Sequence, residues 1–235
     1  MTRLRVVTYN VHKCRGMDGR VSAIRIANVL RELDADIIAL QEVLDQQAEA
    51  ISHELAMPFE LGENRRHHGC AYGNVLMTLW PVRETHNYDL SVRGREERGC
   101  LRADILVNGG TLLHVFNVHL GTSPFERRKQ GPRLIAPELL SHTDLQAPRL
   151  VMGDFNEWTT GLATRLLRKH LESADIRAHL NRSRTYPGIL PFFHLDHIYY
   201  DPALRLDRLR LIRTPKTLIA SDHLPLVADF TFQPH

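Results

Sequence analysis

The chain has 235 residues, of which 43% are apolar and 24% charged, a composition that supports a folded core and excludes an intrinsically disordered protein. The formal net charge of +3 suits anionic substrates without requiring them. No apolar run approaches the roughly 18 residues of a membrane-spanning helix, which argues against stable membrane insertion. Because α/β domains commonly reach about 200–250 residues, we expect residues 1–235 to form one domain.

The cysteines indicate the redox environment. Cys14, Cys70 and Cys100 are far apart and include no CxxC pair. An odd, scattered set argues against a disulfide framework and against a structural zinc site. The N-terminus reads directly as a strand rather than as a secretion signal, so we expect a soluble protein of the reducing cytoplasm.

The N-terminal region predicts a strand, a helix and a second strand. Residues 4–10 and 36–42 are short apolar runs, and Ser22 is a candidate N-cap for a helix between them. The apolar face of that helix consists of Ile26, Ala27, Leu30 and Leu33. The strands of such a βαβ unit are parallel, which brings Asn10 and Glu42 to the sheet edge where open α/β sheets bind ligands.

The rest of the chain is rich in strands. Further strands are predicted at 72–79, 101–107, 111–118, 149–152, 195–200 and 224–232. Helices are predicted around 47–56 and 160–171, and the helix-like stretch 124–142 is expected to break or kink at Pro132 and Pro137. Many strands with few helices between them predict two packed sheets flanked by helices, not a Rossmann sheet.

Several of these strands end in an acid, an amide or a histidine, or directly follow one. The residues are Asn10, Glu42, His119, Asp154, Asn156, Asp222 and His223. Hard oxygen ligands together with two imidazoles suit Mg²⁺, or Mn²⁺ in its place, and a phosphate ester better than they suit zinc. This donor set favours hydrolysis at phosphorus, with a carboxylate or His taking the proton from water.

Asp196 lies inside the apolar run FFHLDHIYY, and a buried carboxylate needs a partner. We assign this partner as His223, which the carboxylate would orient and keep basic, as in the acid–His pairs of hydrolytic sites. The competing interpretation is a structural ion pair with Arg184 or Arg205.

Six short strings occur in order over residues 8–225: TYN, LQE, NVHL, GDFN, LDHI and SDHLP. Together they resemble the endonuclease/exonuclease/phosphatase superfamily, which includes DNase I-like nucleases, neutral sphingomyelinases and inositol polyphosphate 5-phosphatases. The resemblance implies an α/β fold, a four-layer sandwich of two mixed β-sheets packed face to face, with helices outside. It also implies a site at one rim of the sheets.

The resemblance places three residues on the metal side of that site. Glu42 would be the principal Mg²⁺ ligand, Asn10 an adjacent metal or phosphate contact, and Asp222 a support for the metal. The residues that follow Asn10 and Glu42 differ from those typical of apurinic endonuclease-like members. This difference weakens a DNA-repair interpretation and favours small bacterial members of the superfamily.

The remaining matched residues carry catalytic roles in the same resemblance. Asp154 would activate or position the attacking water, Asn156 would hold a phosphate oxygen, and His119 would donate to the scissile phosphate or leaving group. His223, oriented by Asp196, would be a base or a transition-state donor, and the division of labour between Asp154 and His223 stays open. A plain Asx turn is the alternative interpretation of the GDFN string.

Two basic segments, 63–69 and 126–133, flank predicted strand ends and would suit phosphate steering, although most charge runs are solvated faces. Trp80, Phe125 and Trp158 are candidates for stacking on a base, with packing in the core or rim as the alternative.

We therefore expect a Mg²⁺-dependent hydrolase of phosphate esters that acts by in-line attack of water. Its substrate would be a nucleic acid, a small phosphodiester or a phospholipid head group, and the short chain and modest charge slightly favour a short or single-stranded nucleic acid or a small diester. A binding scaffold without turnover is the alternative from another class, disfavoured because every acid and imidazole of the motif set is present. A zinc hydrolase is disfavoured because no HExxH or clustered Cys/His pattern occurs.

Overall fold

The computed structural model describes residues 3–107, 110–141, 145, 148–157, 161–174 and 195–233. Its strands are β1 (Arg3–Asn10), β2 (Ile37–Leu44), β3 (Phe59–His67), β4 (Cys70–Thr78), β5 (Val82–Asp89), β6 (Gly99–Val107), β7 (Thr111–His119), β8 (Arg149–Asp154), β9 (Glu172–Ser173), β10 (Asp196–Tyr200), β11 (Leu204–Leu211) and β12 (Leu226–Phe232). Its helices are α1 (Ala23–Leu33), α2 (Asp45–Leu55), α3 (Pro124–Leu134), α4 (Leu162–Leu167) and α5 (Pro215–Ala220).

The strands form two six-stranded mixed sheets, which confirms the predicted architecture. The first sheet has the order β11-β12-β1-β2-β4-β3, and the second has the order β5-β6-β7-β8-β10-β9. In the first sheet β1 and β2 are parallel, with Asn10 opposite Gln41. In the second sheet β7 and β8 are parallel, with His119 opposite Asp154. Each sheet thus contains one parallel pair whose carboxyl ends carry candidate site residues.

Buried apolar side chains fill three layers. One lies between the sheets and includes Ile37 of β2 and Val115 of β7. A second joins the first sheet to α1, α2 and α5, and a third joins the second sheet to α3 and α4. The predicted apolar face of α1 is buried, and Ser22 caps this helix by accepting a hydrogen bond from the Arg25 backbone N–H at 3.2 Å. The four layers follow from this packing of amphipathic elements.

Four strands depart from the sequence predictions. β3, β5, β9 and β11 are not predicted, and most of the basic segment 63–69 belongs to β3. All four are the outermost strands of their sheets. Edge strands carry charged side chains that discourage pairing with other chains, which hides the alternation that marks a half-buried strand.

The helix-like stretch 124–142 ends early. α3 stops at Leu134, before Pro137, but Pro132 lies inside the helix. A proline near the C-terminus of a helix removes one hydrogen bond and is therefore tolerated there better than in the middle. No helix in the described part of the chain combines the length and apolarity needed to cross a membrane. All three cysteines are unpaired.

A buried ionic network lies on the face of β6 and β7 that points away from the first sheet. Arg102 Nε donates to Asp104 Oδ1 at 2.7 Å, and His114 Nδ1 lies 2.9 Å from the same oxygen. Burial opposes ionisation of Asp104, but the hydrogen bonds from His114 and Arg102 outweigh it and lower the carboxyl pKa to about 2.

Asp104→Asn is expected to lower the free energy of unfolding at pH 7 by about 3 kcal/mol, because it leaves the buried Arg102 without its counter-charge. The depressed pKa means that this contribution is present above about pH 4 and is lost as the pH falls through about 2. Urea unfolding of wild type and variant between pH 7 and pH 2 measures the difference. Asp18→Asn, which breaks an exposed pair with Arg25, is the control with the smaller effect. A difference between wild type and Asp104→Asn that does not narrow in acid would contradict this account.

Candidate functional site

The predicted strand-end residues of the two sheets meet at one rim. Asn10 Nδ2 donates to Glu42 Oε1 at 3.2 Å in its own sheet and to Asp154 Oδ2 at 3.0 Å in the other sheet. His119 Nε2 lies 3.9 Å from Glu42 Oε1 and 3.7 Å from Asp154 Oδ2. Residues separated by more than a hundred positions in the chain therefore form one cluster.

Asp196 and His223 complete this cluster. His223 Nδ1 is 3.1 Å from Asp196 Oδ2, and its Nε2 is 3.7 Å from Asp154 Oδ2. The assignment of His223 as the partner of Asp196 is confirmed. Arg205 pairs instead with Asp207 at 2.9 Å, and Arg184 lies outside the described residues.

The GDFN string forms an Asx turn and also places a carboxylate oxygen in the cluster. Asp154 Oδ1 accepts a hydrogen bond from the Asn156 backbone N–H at 2.9 Å, which is the Asx turn, while Asp154 Oδ2 faces the cluster. Asn156 Nδ2 donates to the Leu120 carbonyl at 3.0 Å and thereby ties this turn to the end of β7. Gly153 has φ +147°, and a Cβ there would lie 1.9 Å from the Val118 carbonyl oxygen, so glycine lets β8 approach β7 just before Asp154.

Left-handed backbone conformations concentrate at this rim. Glu42 has φ 59° in a register shift between Leu40 and Val43 of β2, and Asn156 has φ 50°. The turn His12–Cys14 has φ 46°, 53° and 54° at its three residues. Such conformations cost on the order of 1–3 kcal/mol each in non-glycine residues and are typical of functional sites.

Buried amides compensate the register shift and fix one sheet on the other. Asn117 of the second sheet donates from Nδ2 to the Leu40 and Val75 carbonyls of the first, both at 2.8 Å. Gln41 Nε2 donates in return to Asn117 Oδ1 at 2.7 Å. Backbone carbonyls that lose a strand partner near Glu42 are thus satisfied across the sheet interface.

The sequence motifs did not identify two basic residues of this site, His12 and Lys13. His12 Nδ1 lies 3.3 Å from Asp222 Oδ2, and Lys13 Nζ lies 3.6 Å from Glu42 Oε2. Asp222 is also anchored beside the site because its neighbour Ser221 donates to the Asn10 carbonyl at 2.8 Å. The available signal was position, since both basic residues lie within three positions of Asn10, the candidate site residue at which β1 ends.

Glu42 and His119 differ in charge at neutral pH. Burial opposes ionisation of Glu42, but a protonated His119, Lys13 and the Asn10 amide favour the carboxylate and lower its pKa to about 2. Burial and the nearby Arg98 charge lower the pKa of His119 well below its ordinary value. Because His119 is then neutral at pH 7, Lys13 and Asn10 are the groups that hold the Glu42 charge there.

The pKa values of Asp154 and His223 are both raised, which favours the protonated form of each group. Burial raises the pKa of Asp154 to about 6, against the opposing attraction of His223. For His223, burial favours the neutral ring, but the charges of Asp196 and Asp154 outweigh it and raise the pKa to about 10. At neutral pH the arrangement provides an ionisable carboxylate beside a protonated imidazole.

The remaining sequence candidates lie elsewhere or support the fold. Trp80 packs against the core between the sheets, and Phe125 is exposed with Lys129 Nζ 4.4 Å above its ring. Trp158 lies outside the described residues. Within 126–133, Arg127 donates to the Gly121 carbonyl at 3.0 Å, so part of this basic run shapes the loop after β7.

Asp196→Asn is expected to lower kcat by about 10²-fold or more, because the neutral amide no longer orients and charges His223. The pKa of His223 should fall toward its ordinary value, which NMR titration of this ring measures. Asp201→Asn is the matched control, since Asp201 is also buried and pairs with Arg149 at 3.2 Å, at the end of β8 opposite Asp154. A variant that loses activity while His223 titrates as in wild type would contradict the positioning role.

The fold and the rim site together define a two-sheet α/β sandwich with acids, amides and histidines at one rim, and the family comparison agrees. The model of the Endonuclease/Exonuclease/phosphatase family matches residues 7–223, and the chain belongs to this family. The chain is 30% identical over 244 aligned residues to the uncharacterized protein YbhP of Escherichia coli (strain K12). The alignment covers 96% of this chain and 95% of that protein.

Two solved structures illustrate the likeness. The catalytic domain of human Nocturnin, with a bound sulfate anion, has 22% identity and a TM-score of 0.79 over 98% of this chain and 95% of that chain. A mannosyl-6-phosphatase of Bacteroides thetaiotaomicron VPI-5482 has 17% identity and a TM-score of 0.78 over 97% of this chain and 100% of that chain. At these identities both comparisons establish the fold.

Proposed function

We propose that this protein is a Mg²⁺-dependent hydrolase of phosphate esters, with Mn²⁺ as a substitute, that cleaves a P–O bond by in-line attack of water. One observation carries this proposal: Asn10 bridges Glu42 and Asp154 across the two sheets, with His119 and His223 each 3.7 Å from the same Asp154 oxygen. Membership of the family and the phosphatase among its structural neighbours support the substrate class.

Glu42 fits the role of Mg²⁺ ligand. Among the described residues, no group of three or more His, Cys, Asp or Glu side chains surrounds a common metal position, as a zinc site would require. Mg²⁺ instead takes one or two carboxylates and keeps several waters. The Glu42 side chain is ionised and 19% exposed, so it can hold such a cation. Bound there, Mg²⁺ would neutralise negative charge that develops on the phosphate.

Asn10 and Asp222 flank Glu42. Asn10 Oδ1 accepts from the His12 backbone N–H at 3.0 Å, so its amide nitrogen faces Glu42 and steadies that carboxylate. Asp222, held by His12, adds negative charge on the same side. We therefore assign Glu42 as the anchoring ligand and the other two residues as its supports.

Asp154 is the proposed general base. Its Oδ1 is held by the Asn156 backbone, its Oδ2 faces the cluster, and its pKa of about 6 suits proton transfer near neutral pH. His223 is protonated at that pH and therefore acts as a donor to a phosphate oxygen, not as the base. His119, neutral and buried, can donate its ring N–H to the phosphate or the leaving group.

Three unpaired cysteines fit the reducing cytoplasm as the location of this activity.

A screen of purified protein with Mg²⁺ or Mn²⁺ tests the proposal. The substrates are bis-p-nitrophenyl phosphate, p-nitrophenyl phosphate, DNA, RNA and phospholipid head groups. Hydrolysis that EDTA abolishes is expected for at least one class, and no metal-dependent hydrolysis of any would overturn the proposal. Calorimetric binding of Mg²⁺ and a thiophosphate ester without turnover would instead support a scaffold.

The salt dependence of the rate separates the substrate classes. A polyanionic substrate releases counterions from each phosphate contact, so its kcat/KM falls steeply with salt. A small phosphate ester gives a nearly flat dependence.

A further inference from the structure

Two arginines, Arg65 of β3 and Arg98 of the loop before β6, form a cluster of cations beside the rim site. Arg65 of β3 pairs in register with Tyr72 of β4, and its guanidinium lies 4.6 Å from the centroid of the Tyr72 ring. The exposed residue Glu96 of the loop before β6 reaches both Arg65 and Arg98. The Glu96 oxygens lie 2.5 Å from Arg65 Nη2 and 2.8 Å from Arg98 Nη2. One carboxylate thus occupies the position between two guanidinium groups. Glu97 also lies 3.8 Å from Arg65 Nη1.

This arginine cluster is continuous with the rim site. Lys13 Nζ lies 5.7 Å from the centroid of the Tyr72 ring and 3.6 Å from Glu42 Oε2. A single side chain, Lys13, therefore connects Tyr72 of the cluster with Glu42 of the rim site. On the second sheet, Arg98 directly precedes Gly99, which pairs with His119. A molecule bound at Glu42 and His119 is therefore within reach of the cluster.

Three polar atoms of the cluster lack an acceptor within the part of the chain that the structure describes. The Tyr72 hydroxyl, Arg65 Nε and Arg98 Nε are buried and have no hydrogen-bond partner among the described residues. Tyr72 is 1% exposed and Arg98 is 4% exposed. Buried donors are normally paired, so three donors without a protein acceptor favour an acceptor from a bound molecule. The Glu96 side chain is 40% exposed and supplies only two oxygens.

We propose that Arg65, Arg98 and Tyr72 form an anion subsite for a phosphate group of the substrate other than the scissile one, and that Glu96 fills this subsite in the free protein. A phosphate carries more acceptor oxygens and more charge than a carboxylate, and paired guanidinium groups bind it in a bidentate manner. The proposal rests on the proposed function, because it assumes a phosphate ester at Glu42. It specifies a substrate with at least two phosphate groups.

Titration calorimetry with inorganic phosphate in EDTA tests the subsite without metal or turnover. Arg65→Gln is expected to weaken phosphate binding about tenfold, and Tyr72→Phe about threefold. Glu96→Gln is expected to strengthen binding about fivefold, because it removes the competing carboxylate. Glu49→Gln, at an exposed position of α2, makes the same change in net charge and should bind phosphate as wild type does.

The signs of these effects separate binding from structural roles. The Tyr72 hydroxyl has no partner in the described residues, so Tyr72→Phe should retain the wild-type thermal midpoint while it weakens binding. If Glu96 only braced its loop, Glu96→Gln would lower the midpoint and leave phosphate affinity unchanged, and that outcome overturns the subsite. Unchanged affinity in Arg65→Gln overturns it as well.

Hydrolysis of bis-p-nitrophenyl phosphate, measured on the same wild-type preparation with Mg²⁺, keeps the two proposals apart. If the protein hydrolyses the ester but the variants do not change phosphate affinity in the expected directions, the subsite alone is refuted. If the affinities change as expected but no substrate in the screen is hydrolysed, the proposed function is refuted and an anion site remains.

Discussion

Glu42→Gln is expected to lower kcat by about 10²–10³-fold and to remove the response of the remaining rate to Mg²⁺. The substitution keeps the size of the side chain but removes the charge that a hard cation requires. In the free protein this charge is held by Asn10, whose Nδ2 donates to Glu42 Oε1 at 3.2 Å, and by Lys13 at 3.6 Å. The measurement is kcat as a function of Mg²⁺ concentration for wild type and variant.

Glu49→Gln is the control for this experiment, because it removes one carboxylate from the exposed surface of α2. It should show the wild-type rate and the wild-type Mg²⁺ response. Turnover of Glu42→Gln near the wild-type level, with an unchanged response to Mg²⁺, would show that the cation is held elsewhere.

Asp154→Asn is expected to lower kcat by a similar factor, about 10²–10³, through loss of the base. Asparagine retains the oxygen that accepts from the Asn156 backbone N–H, so the turn and the fold should persist. In wild type the rate should fall as the pH drops below about 6, because protonation of Asp154 removes the base. This acid limb should be absent from the pH–rate profile of the variant.

Asp201→Asn again provides a matched buried carboxylate, which is 6% exposed and pairs with Arg149 away from the rim. It is expected to lose stability while it keeps kcat and the acid limb. If the pH–rate profile of Asp154→Asn still has an acid limb near pH 6, then a group other than Asp154 titrates there and acts as the base.

The central part of the fold could be predicted because its sequence signals are local. α1 has an N-cap serine and an apolar face, and the central strands are apolar runs that end in polar residues. β11 was missed although leucine recurs at positions 204, 206, 209 and 211, because the register shift between Leu206 and Arg208 interrupts the alternation. The pattern of β5, VRETHNYD, lacks a continuous apolar face and resembles a loop.

The rim residues were predictable for a different reason, namely that short motifs mark where strands end. The sequence could not show that Lys13 reaches Glu42, or that Arg65 and Arg98 share Glu96, since these pairs join separate loops and strands. The basic segment 63–69 was noticed, but only its place in β3 separates Arg65, which contacts Tyr72, from Arg66, which pairs with Glu63.

The amino-acid sequence by itself determined most of the central strands, the polar residues at their ends, and the family that the order of motifs resembles. Only the tertiary structure decided that Asp154 gains a raised pKa and that His223 carries a proton at neutral pH. The physical reason is that hydrophobic periodicity is a property of neighbouring residues. A pKa depends on burial and on charges brought within a few ångströms by the packing of two sheets.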